Sequence, residues 1–339
     1  MPSLLRRFGG SLAFTVLALA AAYAVGHAFG GTVSAGLSAL FAAAILGVLE
    51  TSLSFDNAVV NARILSDMDD FWRKMFLTVG ILVAVFGMRI VFPLVIVWAV
   101  GEHSFPQVLA LCWSDPHRFQ EILVSQHVQI AGFGGAFLWM VFFKFFLDHE
   151  KDVHWLGWLE RTLSRAGRMD TLWIAATLVL AFVFRPLVEH GRGAEFLASA
   201  VAGILTCLLV EGLGAFFGEA GPGAIRTGLS AFLYLEVLDA SFSFDGVVGA
   251  FAITDNLLVI ALGLGIGAVF VRSLTVFMVD TGTLAKFAYL EHGAFWAIGA
   301  LALVLFVSAT GLEIPEVVSG SIGLVLIGLS LVSSVREKR

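Results

Sequence analysis

Leu49-Glu50-Thr51-Ser52-Leu53-Ser54-Phe55-Asp56-Asn57-Ala58-Val59 sets two carboxylates six positions apart inside an apolar run, and Leu238-Asp239-Ala240-Ser241-Phe242-Ser243-Phe244-Asp245-Gly246-Val247-Val248 repeats the pattern. Both runs are long and apolar enough to cross a bilayer. An ionised carboxylate near the centre of a membrane costs at least ~3 kcal/mol on insertion scales, so such acids mark ion or proton handling. Four of them, in two matching copies, point to one shared site.

The composition around the motifs is that of a membrane protein. Hydrophobic residues make up 59% of the chain and charged residues 14%, where a soluble domain carries about 25% charged residues. Mean hydropathy is +0.93. A spanning helix needs ~20 mostly apolar residues. Ten stretches qualify: 12–29, 38–62, 75–100, 130–147, 171–184, 196–217, 228–251, 257–279, 294–310 and 317–335. The fifth is short enough to be a tilted or partial span. The fold class expected is an all-α integral membrane protein of about ten transmembrane helices with an inverted internal repeat. It forms a single polytopic domain over 1–339, with a first repeat half at 36–147, a second at 196–310 and a cytoplasmic loop at 148–170.

Lys and Arg gather in cytoplasmic loops, and an inside N-terminus puts Arg73, Lys74, Lys151, Arg161, Arg165 and most other basic residues there. Only Arg118, Arg185 and Arg192 fall outside. Both termini are therefore expected in the cytoplasm, with the chain in the plasma (inner) membrane. Arg6-Arg7, a short apolar run and Ala22-Tyr23-Ala24 also match a cleavable leader; an uncleaved first span is the more usual form for a polytopic protein. Cys112 and Cys207 make neither a disulfide framework nor a metal motif. The net charge of −6 reflects loop acids, and no basic, aromatic-interleaved surface points to nucleic acid.

The first motif lies in the second stretch and the second in the seventh, so five crossings separate them and they run oppositely, as in inverted-repeat transporters. The span after each carries a lone arginine, Arg89 and Arg272. Both sit well inside apolar runs and are expected to pair with the motif carboxylates. In a regular helix Glu50, Ser54 and Asn57 share one stripe, as do Glu236, Asp239 and Ser243, while Asp56 and Asp245 point roughly 120° away from the first acid of their motif. Either the helix unwinds near Ser54-Phe55-Asp56-Asn57, or each motif faces two neighbours. Unwound backbone is tolerated at membrane depth where it lines a protein cavity, and its carbonyls then become ligands.

Carboxylate, hydroxyl, amide and carbonyl oxygens without a facing His or Cys suit hard divalent ions such as manganese, calcium or magnesium. Clustered carboxylates also raise one another's proton affinity, which makes metal-for-proton exchange physically easy. The pairs Glu50-to-Asp56 with Ser-Phe-Asp-Asn and Asp239-to-Asp245 with Ser-Phe-Asp-Gly resemble the TerC family of integral membrane proteins, named for tellurium resistance and placed near the LysE-type exporters. The resemblance is closest to its branch with Ser-Phe-Asp in both motifs and covers about Ala42 to Thr281. It implies export of a divalent metal, chiefly manganese, past Glu50, Asp56, Asn57, Asp239 and Asp245. Phe55 stands where Ile is more usual, and Gly246 answers Asn57.

The site expected lies near the bilayer midplane, with Glu50, Asp56, Asn57, Asp239 and Asp245 on the metal and Ser54, Ser243, Glu236, Arg89, Arg272 and Glu211 along the path. The metal is transported substrate, not a tightly bound cofactor. The partners are the bilayer and the ion, with a homo-oligomer or a membrane partner protein left open. Asp148, His149, Glu150, Asp152 and His154 offer a metal mouth in the cytoplasmic loop but match no metal template. The 101–129 loop holds Glu102, His103, Asp115, His117 and His127, which read as surface residues. Competing readings are an exporter of small organic solutes, a scaffold held by Asp–Arg pairs, and an intramembrane aspartyl protease. The last is opposed by the symmetry of the two copies, so no enzyme is expected. Without a nucleotide-binding loop, uphill transport has to draw on an ion gradient or a partner.

Overall fold

Gly31, at φ 65°, reverses the chain between two apolar helices, α1 (Leu4–Gly30) and α2 (Val33–Leu53). Thr32 caps α2 by accepting from the Ala35 N–H at 3.1 Å. The computed structural model describes residues 4–99, 104–149, 151–167, 171–216, 228–312 and 314–337. Further along come α3 (Phe55–Asp67), α4 (Asp70–Leu82), a π-helix at Val83–Val91, α5 (Phe92–Ala99), α6 (Phe105–Ser114), α7 (Pro116–Ser125) and α8 (His127–Phe146). They are followed by α9 (Gly157–Ala166), α10 (Leu172–Phe184), α11 (Gly193–Phe216), α12 (Leu229–Ala250), α13 (Leu257–Thr281), the short α14 (Thr283–Lys286), α15 (Leu290–Ser308) and α16 (Glu316–Glu337). No strand occurs among the described residues.

Among the described residues, eight helices are long and apolar enough to cross a membrane: Arg7–Gly30, Val33–Leu53, Asp70–Ala99, His127–Phe146, Gly193–Leu213, Leu257–Thr281, Leu290–Ser308 and Val317–Glu337. The protein is thus an all-helical integral membrane protein with eight candidate spans rather than the ten read from the sequence. The two that drop out have simple reasons. The 171–184 stretch forms a 13-residue helix, short of the ~20 residues a crossing needs. The 228–251 stretch forms a helix of 22 residues, but Glu236, Asp239 and Asp245 interrupt its apolar surface. The 38–62 stretch also divides, since α2 ends at Leu53 and α3 begins at Phe55.

The chain forms two compact units. The first comprises 1–54, 74–127 and 242–277. Its α13 carries Gly263 and Gly267 four residues apart, a spacing that lets helices approach closely in lipid. A Cβ on Gly263 would meet Leu46 and the Ala43 backbone, and one on Gly267 would overlap Glu50. Ser11 on α1 bonds Ser273 on α13 at 2.7 Å.

The second unit comprises 55–73, 128–241 and 278–339. Here α15 is the central helix: it lies against α16 and α3, and Gly135 on α8 and Gly299 on α15 make room for Phe306 and Phe142 respectively. Arg63, near the end of α3, bonds Glu291 on α15 at 2.7 Å and also pairs with Asp67.

Gly267→Ala should destabilise the protein by about 1–3 kcal/mol, the usual cost of forcing a methyl into packed space. Gly9→Ala, where nothing lies within 4 Å, should not; thermal unfolding in detergent micelles measures both.

Candidate functional site

The first motif breaks its helix. Thr51 and Ser52 turn their hydroxyls back to the Gly47 and Val48 carbonyls at 2.6 and 2.7 Å, a contact that bends helices. Ser54 leaves helical geometry at φ −95°, ψ 27°, and its N–H closes on the Glu50 carbonyl. A new helix then starts at Phe55, and Asp56 occupies its first turn, where a negative charge meets the positive end of the helix dipole. Asp56 Oδ1 accepts from the Asn57 N–H at 3.0 Å. The second motif has Ala240 where the first has Thr51, and α12 runs through it unbroken. Its Ser241 bonds the Val237 carbonyl. Of the two geometries open from the sequence, the first copy adopts the unwound one. By length α2 crosses the bilayer alone, since 21 residues at 1.5 Å each make ~31 Å. The break therefore stands at the end of its apolar run.

Most of α3 is buried, including Asp56, Asn57 and Asn61. Asn57 and Asn61 lie one turn apart on one stripe. Asn61 Nδ2 donates to Asp239 Oδ1 on α12 at 2.8 Å, and that donation fixes the amide with its oxygen turned elsewhere. Asn61 Oδ1 and Asn57 Oδ1 are buried with no hydrogen-bond partner among the described residues. Each such oxygen costs about 1–3 kcal/mol unless something satisfies it. Asp56 points about 140° away from Asn61 around the helix, toward α15 and α16. There its Oδ2 lies 3.4 Å from the place a Cβ on Gly323 would take, with Ala297 beside it. α3 therefore presents a carboxylate on one face and, on another, two carboxamides, one of which, Asn61, touches a second carboxylate. Among the described residues no three His, Cys, Asp or Glu side chains converge as a metal would require. The side chain of Asp245 lies outside the described residues. Glu236 is buried on α12, in the same unit as Asp239.

The other motif acid is neutralised. Glu50 Oε1 accepts from Arg89 at 2.6 Å, and the two side chains are 8% and 4% exposed. Arg89 lies in the π-helix, a geometry found mostly at functional sites, and also bonds the Ala84 carbonyl. The expected pairing of Arg89 with a motif carboxylate is thus present. Arg272 donates to the Phe76 and Gly80 carbonyls at 3.2 and 3.0 Å and lies over the Phe76 ring. Ser243 is buried, its hydroxyl without a partner among the described residues. In the second unit, Glu211 forms an ion pair with Lys144 of α8 at 2.7 Å.

The 148–170 loop holds a different cluster from the one expected. Asp148, His149 and Asp152 are exposed, and Glu150 is outside the described residues. Glu160 on α9, unremarked in the sequence, is 1% exposed. It accepts from the Trp155 N–H at 2.9 Å and Trp296 Nε1 at 2.9 Å, and shares a 2.7 Å hydrogen bond with His292 Nδ1. Burial works to raise its carboxyl, but the hydrogen bonds from His292 and Trp296 outweigh burial and hold it at about 2. His154 lies 4.0 Å from Glu160, and burial pushes its imidazole down. Burial likewise lowers the Lys151 ammonium to about 7, where it rests on the Phe145 ring. In the 101–129 loop, His117 and Arg118 pair with Glu121, Asp115 caps α7, and Glu102 and His103 lie outside the described residues.

Comparison with known families decides the relationship. A family model described as "Protein of unknown function (DUF475)" matches residues 55–339. The chain belongs to the DUF475 family. The resemblance to TerC drawn from the two Ser-Phe-Asp motifs is overturned by this match. No curated protein and no solved structure matches the chain. The matched part of this DUF475 protein begins at Phe55, the first residue of α3. It takes in Asp56, Asn57, Asn61, Asp239 and Asp245, and Glu50 precedes it.

Glu50→Gln should cost about 3–5 kcal/mol by leaving Arg89 buried and unpaired, and adding Arg89→Met should recover most of that loss in thermal unfolding. For Glu160, the native value of about 2 lies below the ordinary carboxyl value of 4.5. Its contribution is therefore complete above about pH 4.5 and is lost as pH falls toward 2. Hydrogen exchange across α9 should accelerate over that window, and Glu160→Gln should remove the pH dependence.

Proposed function

We propose that this DUF475 protein is a secondary transporter whose cargo is a hard divalent cation, manganese, calcium or magnesium, moving along α3. One observation carries the reading: Asn57 and Asn61 hold buried acceptor oxygens that no donor among the described residues satisfies, on a helix that also bears Asp56 and touches Asp239. An orphaned donor would accept an anion, whereas orphaned oxygens beside carboxylates ask for a cation or a proton. Oxygen donors alone favour hard ions over zinc or copper.

Asp56 on one face of α3, and Asn61 with Asp239 on another, form two stations ~7.5 Å apart along the helix axis, with Asn57 between them. The break at Ser54 sets them near the end of α2's crossing rather than at the midplane. Half-helix ends are where transporters place ion sites, and Asp56 stands in the first turn of α3. Glu50 is held by Arg89, so that pair serves the fold unless Arg89 yields to the ion. Protons supply the counter-flow, since a carboxylate released by the metal in an apolar setting regains proton affinity.

In the same reading both termini are cytoplasmic. Direction of transport follows from the proton gradient, which favours export of the metal from the cytoplasm.

Purified protein in liposomes should take up manganese(II), with calcium and magnesium competing. Asp56→Asn and Asp239→Asn should each lower the flux at least about tenfold, the effect of losing ~1.4 kcal/mol of binding. Glu211→Gln, which breaks an ion pair outside the stations, should leave flux within about twofold, a change worth only ~0.4 kcal/mol. Absence of flux for every dication, from folded protein, would overturn the proposal.

A further inference from the structure

The loop helix α9 is tied down at two points. Its buried face holds Glu160 and Ser164, and Glu160 is bonded to His292 and Trp296 in the first two turns of α15. Gly167, just past its end, lies so close to Leu147 that a Cβ would overlap the Leu147 carbonyl. Leu147 directly follows α8. Both anchors are ends of candidate membrane spans, His127–Phe146 and Leu290–Ser308. The 19 residues of α15 extend ~28 Å, which only just covers the hydrocarbon core of about 30 Å. Its first turns, and the helix docked on them, therefore stand at headgroup depth.

The opposite face of α9 has an unusual composition for a water-facing surface. Trp158, Arg161 and Arg165 follow one stripe at i, i+3 and i+7, and Trp158 is 82% exposed. Arg161 and Arg165 are exposed, with no carboxylate bonded to either among the described residues. Val153, Leu156 and Leu159 add exposed apolar surface around them. Tryptophan partitions to membrane–water interfaces because its ring is apolar and its N–H polar. Arginine near an anionic surface gains affinity from the headgroup charge.

We infer that α9 is an interfacial helix, held by Glu160 and Gly167 at the membrane surface, whose Trp158–Arg161–Arg165 face binds anionic phospholipid headgroups. The position comes from the two anchors, and the choice of headgroup from two unpaired positive charges flanking a tryptophan. The inference is independent of the cargo proposed for α3.

The test is quenching of Trp158 by brominated lipid in the full-length protein reconstituted in vesicles. The chain has 8 tryptophans, so the emission of Trp158 is taken as the difference between wild type and Trp158→Phe. Bromine placed on phosphatidylglycerol should quench it more than the same fraction of bromine on phosphatidylcholine, by about fivefold in apparent affinity for each arginine engaged. Arg161→Gln with Arg165→Gln should abolish the preference, and the matching pair of lysine substitutions should retain it. Unchanged thermal unfolding would confirm that these exposed substitutions leave the fold alone. No quenching by either lipid would overturn the placement at the membrane, and equal quenching by both would overturn headgroup selection.

Discussion

A carboxylate on an apolar helix has to be compensated inside the protein, because lipid offers it nothing. The manner of compensation separates structural acids from the candidate site. Glu50 has the Arg89 guanidinium, Glu211 has the Lys144 ammonium, and Glu160 has three donors. Asp56 and Asp239 are served differently. Asp56 accepts a backbone N–H at the start of a helix, and Asp239 accepts from the neutral amide of Asn61. On the same helix as Asp56 the amide oxygens of Asn57 and Asn61 are buried without a donor among the described residues.

The break at Ser54 creates that environment. Had α2 continued, Asp56 and Asn57 would have stayed on the surface of a long apolar rod. Three hydroxyls in four residues, Thr51, Ser52 and Ser54, weaken the helix at that point, and the restart at Phe55 gives Asp56 a helix N-terminus to sit on. The short α3 that follows is then fastened to α15 by Arg63 and Glu291. The second motif keeps its helix, so the two copies share a sequence pattern while differing in backbone.

Much of this was legible in the sequence and some of it was not. Hydropathy identifies the long helices, yet it counts α12 as a span although three acids interrupt it, and it runs α2 and α3 together although hydroxyl back-bonding divides them. The Glu50–Arg89 pair is readable because each charge stands alone in an apolar run. Asn61 is not, because it falls beyond the repeated motif, where the second copy has Ala250; only its i+4 spacing from Asn57 hints at a shared face. The Glu160–His292 contact joins residues 132 positions apart, and no local pattern reports such a contact. The TerC resemblance rested on two short motifs, whereas the DUF475 match covers residues 55–339.

The most direct measurement is a count of manganese(II) bound at equilibrium to the purified protein, read from the loss of the free-ion electron paramagnetic resonance signal. The expected result is saturable binding by wild type that weakens sharply in Asp239→Asn and in Asn61→Leu, with both variants still folded. Binding that both substitutions leave unchanged, or no binding by folded wild-type protein, would contradict the assignment of α3 as the cation path.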